Sequence, residues 1–183
     1  MSTLTDYFGR NANLVAVQNC NRGYSAAFSV ACAASATDVA VITGSASRIV
    51  VPRRIVITGL QTVGLQVLVL AIKRSTADTG GTPVAQTLVP HDSSSPAATG
   101  TVTSYTANPG ALGTAVGTVR REQVFIQAPA TVGVGGRIEW IFGRDSGLTV
   151  LRGVAQQLAI NLNAVTVTGG VLDIQIELDE EPN

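Results

Sequence analysis

The stretch Leu172-Asp-Ile-Gln-Ile-Glu-Leu178 alternates without interruption between apolar and polar residues. Successive side chains of a β-strand point to opposite faces of a sheet, so this strand is predicted to have one core face and one solvent face. Such alternation is typical of an antiparallel sheet that packs on a core with one face only. The predicted inward residues are Leu172, Ile174, Ile176 and Leu178, and the predicted outward residues are Asp173, Gln175 and Glu177.

The same period recurs along the chain, and no segment has a convincing helical period. The segment 137–142 alternates with Ile138, Trp140 and Phe142 predicted to face inward, and Leu158–Leu162 alternates less cleanly. Gly, Pro, Asn and Asp bound these short runs, as they commonly bound strands. Further strands are predicted at 13–18, 26–33, 39–43, 48–51, 54–60, 84–89, 101–105, 116–120 and 122–127.

These strands predict an all-β fold, a β-sandwich of jelly-roll-like topology. Leu65–Ile72 is apolar on both faces, which predicts a strand between two sheets or beneath a neighbouring element. The length of 183 residues fits one domain, which we place at 26–183. Residues 1–25 are weakly patterned and form either an extended N-terminal arm that lies across a partner or a first edge strand.

The composition is poor in charge. Charged residues make up 13% of the chain, where about a quarter is typical, and the formal net charge is zero. The segment 93–119 contains no charged residue at all, although its Ser, Thr, Ala, Gly, Asn and Pro residues are those of a long surface loop. A low charge favours association, so we expect this uncharged loop region to be covered by a partner in an assembly.

The start of the chain, its short apolar runs and its two cysteines lead us to expect a protein in a reducing compartment. It begins with neither a basic leader nor an apolar signal core, and its apolar runs are far shorter than the roughly 20 residues of a membrane-spanning helix, so a soluble protein made in the cytoplasm is expected. Cys20 and Cys32 match no metal or redox spacing. Two reduced, mostly buried thiols are expected, with a disulfide between neighbouring strands as the alternative.

The sequence offers little catalytic chemistry. His91, the only histidine, lies in a turn-like stretch where a structural role is expected. Asp145-Ser-Gly147 is similar to the nucleophile loop of trypsin-like serine proteases, but Arg144 replaces the glycine that precedes that motif, and a hairpin turn explains the tripeptide equally well. Gly133–Gly136 is too short for a dinucleotide-binding loop and is interpreted as a turn.

Paired carboxylates for glycoside hydrolysis would have to come from Asp173, Glu177 or Glu139, which occupy outward strand positions where solvated acids are usual. We therefore predict that the protein is not an enzyme, and we assign it no catalytic residue, cofactor or metal. A neutral chain with few aromatic residues also lacks the features of direct nucleic-acid binding.

Arginine dominates the cations, since Lys73 is the only lysine among twelve Lys and Arg residues. Arginine is the cation favoured in protein interfaces, because its planar group binds carboxylates with two donors. Our hypothesis is that an arginine cluster in one copy meets the acidic C-terminal tail of another copy or of a lattice partner. Two unconnected solvated patches are the alternative. The residues concerned are Arg48, Arg53 and Arg54, and Asp179, Glu180 and Glu181 with Asp173 and Glu177 before them.

Three stretches of the sequence resemble a family of small virion proteins of tailed bacteriophages. They are Gly81–Thr99 with its continuation through Ser104–Pro109 and Leu112–Val116, Leu151–Asn163, and Leu172–Glu177, and the match extends over roughly the last hundred residues. The resemblance implies a β-rich shell or appendage component present in many copies, a head cement or decoration protein, and it implies no active-site residue.

We therefore expect a structural protein that binds the outer surface of a phage capsid, contacts the major capsid protein and stabilises the shell as a homotrimer or homodimer. Its place would be the virion, without contact to nucleic acid or membrane. The alternative is a head-fibre or tail-spike module that binds a host-surface glycan through exposed tyrosines and a polar pocket. In the uncharged region, the predicted contact anchors are Tyr105, Pro109 and Leu112.

Overall fold

A computed structural model describes residues 22–128, 135–143, 148–167 and 169–183 of the chain. In these residues it has eleven β-strands and no helix, so the prediction of an all-β fold is confirmed. The strands are β1 (Arg22–Ala31), β2 (Ala36–Thr43), β3 (Arg48–Leu60), β4 (Leu65–Arg74), β5 (Pro83–Gln86), β6 (Val89–Pro90), β7 (Thr101–Tyr105), β8 (Ala115–Ile126), β9 (Ile138–Ile141), β10 (Gln157–Val165) and β11 (Val171–Pro182).

The strands form two antiparallel sheets that pack as a sandwich. Sheet 1 has the order β6-β1-β11-β3-β9, and sheet 2 has the order β5-β7-β2-β10-β4-β8. When the short strands β5 to β7 are set aside and the other eight are renumbered along the chain, the orders become 1-8-3-6 and 2-7-4-5. This arrangement is the jelly roll, in which successive strands alternate between the two sheets except for strands 4 and 5, which are neighbours in sheet 2.

The core lies between the sheets and consists mainly of Val, Ile, Leu and Ala. The predicted alternation of β11 is confirmed, because its inward residues from Leu172 to Leu178 are buried and the outward Asp173 and Gln175 are exposed. Ile138, Trp140 and Phe142 are also buried, as predicted. The small β-branched side chains fill the space between the sheets, and Trp140 supplies the largest single piece.

β4 departs from its prediction. Val67, Val69 and Ala71 are fully buried, but the residues on its other face, including Leu68 and Leu70, are only half-buried. β4 is an ordinary member of sheet 2 between β10 and β8, and it does not lie between two sheets. The expectation of a strand between two sheets was therefore wrong, and the apolar residues on the outer face of β4 are partly covered.

A β-bulge interrupts β3 where it pairs with β11. Pro52 lies opposite Leu178 and Arg54 lies opposite Glu177, so Arg53 is an extra residue on the β3 side. A bulge leaves one backbone position outside the ladder, which makes proline acceptable in the middle of a sheet. It also turns two consecutive arginine side chains towards the same outer surface.

Residues 75–114 are an insertion between β4 and β8 that wraps one edge of the sandwich. Its strands β7 and β5 extend sheet 2 beyond β2, and β6 pairs with β1 at the edge of sheet 1. The region 93–119 is therefore not one long loop, because it contains β7 and the first part of β8. The edge of a jelly roll is covered here by the chain itself.

The structure places residues 22–25 within β1, which pairs along its length with β11. The N-terminal boundary of the sandwich is thus at or before Arg22, earlier than the predicted residue 26. Residues 1–21, which carry the choice between an arm and an edge strand, lie outside the described residues.

Candidate interaction surface

The uncharged residues 93–119 are mostly exposed on this ordered scaffold, and they extend from β7 at one side of sheet 2 to β8 at its opposite edge. We call their exposed side chains the neutral surface; Val116 is 65% exposed and Leu112 is 43% exposed. Backbone hydrogen bonds of β7 with β2 and of β8 with β4 hold the segment in place. A surface that is both ordered and free of charge fits an interface core, where charged residues are depleted.

Two segments of the insertion pair with each other and lie over sheet 2. They are residues 75–82 and 106–114, which we call the strap. The amide of Thr79 donates to the carbonyl of Ala111 at 2.9 Å, and the amide of Ala111 donates back at 3.1 Å. Asn108 fastens the far end, since its side-chain amide donates to the carbonyls of Ala34 and Ser35 at 3.0 and 3.1 Å.

The strap covers a second, smaller hydrophobic cluster of Val41, Ala159 and Tyr105. Ala40 and Ile160, which precede and follow Val41 and Ala159 along their strands, belong to the main core between the sheets. Because side chains alternate along a strand, the smaller cluster must lie on the opposite face of sheet 2. Strap residues lie on this outer face, since the amide of Asp78 donates to the side chain of Gln157 in β10 at 2.9 Å.

This position corrects two of the three predicted anchors. Tyr105 is only 5% exposed and Pro109 is buried, so both hold the strap to its own chain. Leu112 alone remains available to a partner. The error has a physical reason: an uncharged segment can be covered by its own sheet as well as by another molecule.

A charged group is buried beneath the strap. The guanidinium of Arg74, at the end of β4, donates to both oxygens of Asp38 at 2.6 and 2.9 Å. Its third contact is the carbonyl of Gly113 in the strap, at 2.7 Å. Asp78 accepts from the amide of Gly113 at 2.8 Å. We call Arg74, Asp38 and Asp78 the buried charge cluster; it links sheet 2 to both halves of the strap.

The arginine cluster and the acidic tail meet within one chain. The tail is the second half of β11, which is the neighbour of β3 in sheet 1. The predicted contact between copies is therefore corrected: strand pairing brings the two groups together before any partner is present. The pairs are Arg53 with Asp179 at 2.6 Å and Glu181 at 3.3 Å, and Arg54 with Glu139 at 2.6 Å and Glu177 at 2.9 Å.

Glu180 is fully buried, although it was predicted as part of a solvated tail. One carboxylate oxygen accepts from the amides of Thr99 and Gly100, each at 2.6 Å, and from the hydroxyl of Thr99 at 3.0 Å. Its backbone carbonyl accepts from Arg48 at 3.2 Å. The carboxylate thus fixes the start of β7, where the insertion returns to sheet 2.

The residues weighed for catalysis do not assemble in the described structure. His91 is exposed after β6, and its amide donates to the carbonyl of Gly23 at 2.9 Å. Asp145, Ser146 and the first residues of the 133–136 turn lie outside the described residues. The outward acids Glu139 and Glu177 both bind Arg54, and Asp173 accepts from Ser29, so each carboxylate already has a partner.

Cys32 carries a free thiol, half-buried at the end of β1 and packed against the core. Burial raises the pKa of this thiol to about 11. A thiol with so high a pKa is a poor nucleophile, which agrees with the structural role expected for it. Cys20 lies outside the described residues.

A shallow depression of about 400 Å³ lies on the outer face of sheet 1. Its polar lining includes Ser29, Thr58, Asp173 and Gln175 from three adjacent strands. It has the size of a small-ligand site, but tyrosines do not line it. Tyr24 is fully buried and donates to the carbonyl of Pro96, Tyr105 is under the strap, and Tyr7 lies outside the described residues.

No family model, curated protein or solved structure matches this chain. The resemblance to phage virion proteins therefore stays a prediction. In the part of the chain that the structure describes, no three His, Cys, Asp or Glu side chains are grouped to hold a metal ion. No helix among the described residues is long and apolar enough to cross a membrane.

The sequence reasoning missed four buried charged residues, Asp38, Arg74, Asp78 and Glu180. A signal for Glu180 was present, because the alternation of Leu172 to Leu178 continues inward to residue 180. Asp38 and Arg74 each adjoin an apolar strand segment, but they are 36 positions apart, and only the register of sheet 2 shows that they pair. Local patterns carry no information on that register.

Proposed function

We propose that this protein is a structural component of a tailed-bacteriophage particle, a cement or decoration protein of the head. It binds the outer surface of the capsid, contacts the major capsid protein and acts as a homo-oligomer, a trimer or dimer, at the virion surface. The observation that carries the proposal is the neutral surface: exposed, uncharged and held in a fixed shape by the sandwich and the strap.

The distribution of charge supports this function. Arg53 and Arg54 of the arginine cluster are paired with acids of the same chain, so they are less available to steer a partner. Binding would then depend on shape and on contacts of small polar and apolar side chains. Such contacts are individually weak, and a lattice of identical sites compensates for this because many copies bind at once.

The mechanism is stabilisation by linkage. A ligand that binds only the assembled shell lowers the free energy of that state, and the shell then resists heat or internal pressure better. A jelly roll suits this task, because its two sheets bury a core and leave wide outer faces whose shape does not depend on the partner.

A second candidate is a module that binds a host-surface glycan. The depression on sheet 1 favours it, since hydroxyl, amide and carboxylate groups of Ser29, Thr58, Gln175 and Asp173 converge there. The burial of Tyr24 and Tyr105 weighs against it, because sugar rings usually stack on exposed aromatic side chains. Titration calorimetry with host-envelope polysaccharide, using Asp173→Asn and Gln175→Ala, separates the two candidates.

The test of the main proposal is binding to purified phage heads that lack the chain. We expect saturable co-sedimentation with heads and a higher temperature of head rupture. Val116→Lys, on the neutral surface, should weaken binding at least tenfold. Val154→Lys is the matched control, because Val154 is equally exposed, at 63% against 65%, but lies outside the neutral surface.

Two results would contradict the proposal. One is the absence of any binding to heads by a folded protein, and the other is binding restricted to isolated tails. Equal loss of binding in the two lysine variants would show that the neutral surface is not the contact, even if the protein does bind heads.

A further inference from the structure

The buried charge cluster has one more acid than base. The side chains of Asp38 and Asp78 are fully buried and that of Arg74 is 4% exposed. The Nε and Nη2 atoms of Arg74 donate to the two carboxylate oxygens of Asp38. The distance from Nε to the nearer oxygen of Asp78 is 3.5 Å, which is too long for a strong second pair. If both acids are ionised, one negative charge is left without compensation in a site closed to water, which is costly.

The other groups around the cluster are neutral. Asn161 of β10 donates to Asp38 at 2.5 Å, and the side chain of Gln157 accepts from the amide of Asp78 at 2.9 Å. Tyr105, at the end of β7, is close enough for its pKa to be raised by burial and by the charges of Asp78 and Asp38, so its phenol stays protonated. Arg74 is the one cation that pairs with these acids in the described part of the chain.

Asp78 is the acid of this cluster that takes up a proton and becomes neutral. One of its oxygens accepts from the amide of Gly113, but the other is buried and has no partner among the described residues. Burial, and secondly the neighbouring Asp38, raise the pKa of Asp78 to about 6, although the Gly113 amide and Arg74 act in the opposite direction. A proton on Asp78 removes the excess negative charge, and the resulting carboxyl O–H can donate a hydrogen bond to Asp38.

We propose that the buried charge cluster is a proton-operated latch, in which protonated Asp78 fastens the strap to sheet 2 and ionised Asp78 loosens it. The strap is the element affected, because Asp78 lies in one of its segments and Gly113 in the other. The device does not depend on what the neutral surface binds. It sets the pH at which the part of that surface around Leu112 has its fixed shape.

The direction of the pH effect follows from linkage. An acid whose pKa is higher in the closed state than in the open state takes up a proton when the strap closes. Closure is therefore most favourable below the ordinary pKa of 3.8, weakens as the pH rises to about 6, and changes little above that. A difference of about two pKa units corresponds to at most about a hundredfold change in the closing equilibrium.

Hydrogen exchange at single residues tests the latch, with rates expressed as protection factors so that the intrinsic pH dependence of exchange is removed. Between pH 5 and pH 7.5 we expect the protection of the Thr79, Ala111 and Gly113 amides to fall about tenfold. The amides that pair β3 with β11 are the internal control and should change less than twofold, since they are distant from the cluster.

Two variants test whether the ionisation of Asp78 causes the pH dependence of the strap. Asp78→Asn is neutral at every pH, so its strap should stay protected and show no step between pH 5 and pH 7.5. Asp38→Asn leaves one acid for one arginine, so Asp78 should remain ionised and the step should again be absent from this window. The latch is refuted if the wild-type strap shows no step, or if the step persists in Asp78→Asn.

Discussion

The carboxylate of Glu180 accepts a hydrogen bond from the backbone amide of Gly100 at 2.6 Å, across eighty positions of the chain. This contact joins the central strand of sheet 1 to the residue that directly precedes β7 of sheet 2. The insertion is thus attached to the sandwich at two points: Glu180 at the start of β7, and the buried charge cluster beneath the strap.

Glu180→Ala should lower the free energy of unfolding by about 3 kcal/mol, because the amides of Thr99 and Gly100 lose a charged acceptor in a buried site. Urea denaturation of the wild type and the variant measures this change in the free energy of unfolding. Glu181→Ala is the control, since Glu181 makes only a 3.3 Å surface pair with Arg53 and should cost less than about 1 kcal/mol. Similar losses in the two variants would show that the Glu180 contact has no special weight.

The pairing of the arginine cluster within the chain predicts a small coupling and no change in oligomeric state. Arg53 and Asp179 are partly exposed, so their coupling in a double-mutant cycle should be about 0.5 kcal/mol and should shrink in 0.5 M salt. The variants are Arg53→Ala, Asp179→Ala and the double variant, followed by thermal unfolding and sedimentation velocity. A loss of oligomers in the single variants would instead support the hypothesis that these residues form a contact between copies.

Two glycines near each other in sequence should respond in opposite ways to alanine. A Cβ on Gly113 would overlap the backbone carbonyl of Thr76, and Gly113 also contacts Arg74 and Asp78. Gly113→Ala should therefore cost about 2 kcal/mol or more. A Cβ on Gly117 meets nothing within 4 Å, so Gly117→Ala should be within about 0.5 kcal/mol of the wild type or more stable. Chemical denaturation of both variants compares them directly.

The thiol of Cys32 should react slowly. Its pKa of about 11 leaves about a hundredfold less thiolate at pH 8 than an unburied thiol with the ordinary value of 9.0 would have. In a Cys20→Ser background, alkylation by iodoacetamide should be slower than that of the same protein in urea by a similar factor. Mass spectrometry against time gives both rates, and fast alkylation of the folded protein would mean that the thiol is open to solvent.

The parts of the fold that sequence could predict are those with a local cause. The period of two in β11 and β9 identified their inward residues, since burial of one face acts on each strand separately. The bulge at Arg53 depends on how β3 aligns with β11, and the cluster of Arg74 with Asp38 depends on how β4 and β2 flank β10. Those alignments are settled by long-range pairing, so the sequence pattern could not place the strap or its latch.

The neutral surface can be separated from the strap interior by one substitution in each. Tyr105→Lys puts a charge into the buried cluster of Val41 and Ala159, so it should lower the stability by about 3 kcal/mol and weaken binding to heads only as far as it unfolds the protein. Leu112→Lys changes a side chain that is 43% exposed, so its melting temperature should stay within about 2 °C while binding falls. Differential scanning fluorimetry gives the melting temperature of each variant, and co-sedimentation gives its binding to heads.

The two variants control for each other. Because lysine is introduced in both, the charge is the same and only its position differs. If Leu112→Lys lost stability and binding in parallel, as Tyr105→Lys should, residue 112 would be part of the protein's own packing and the contact would have to be sought nearer Val116.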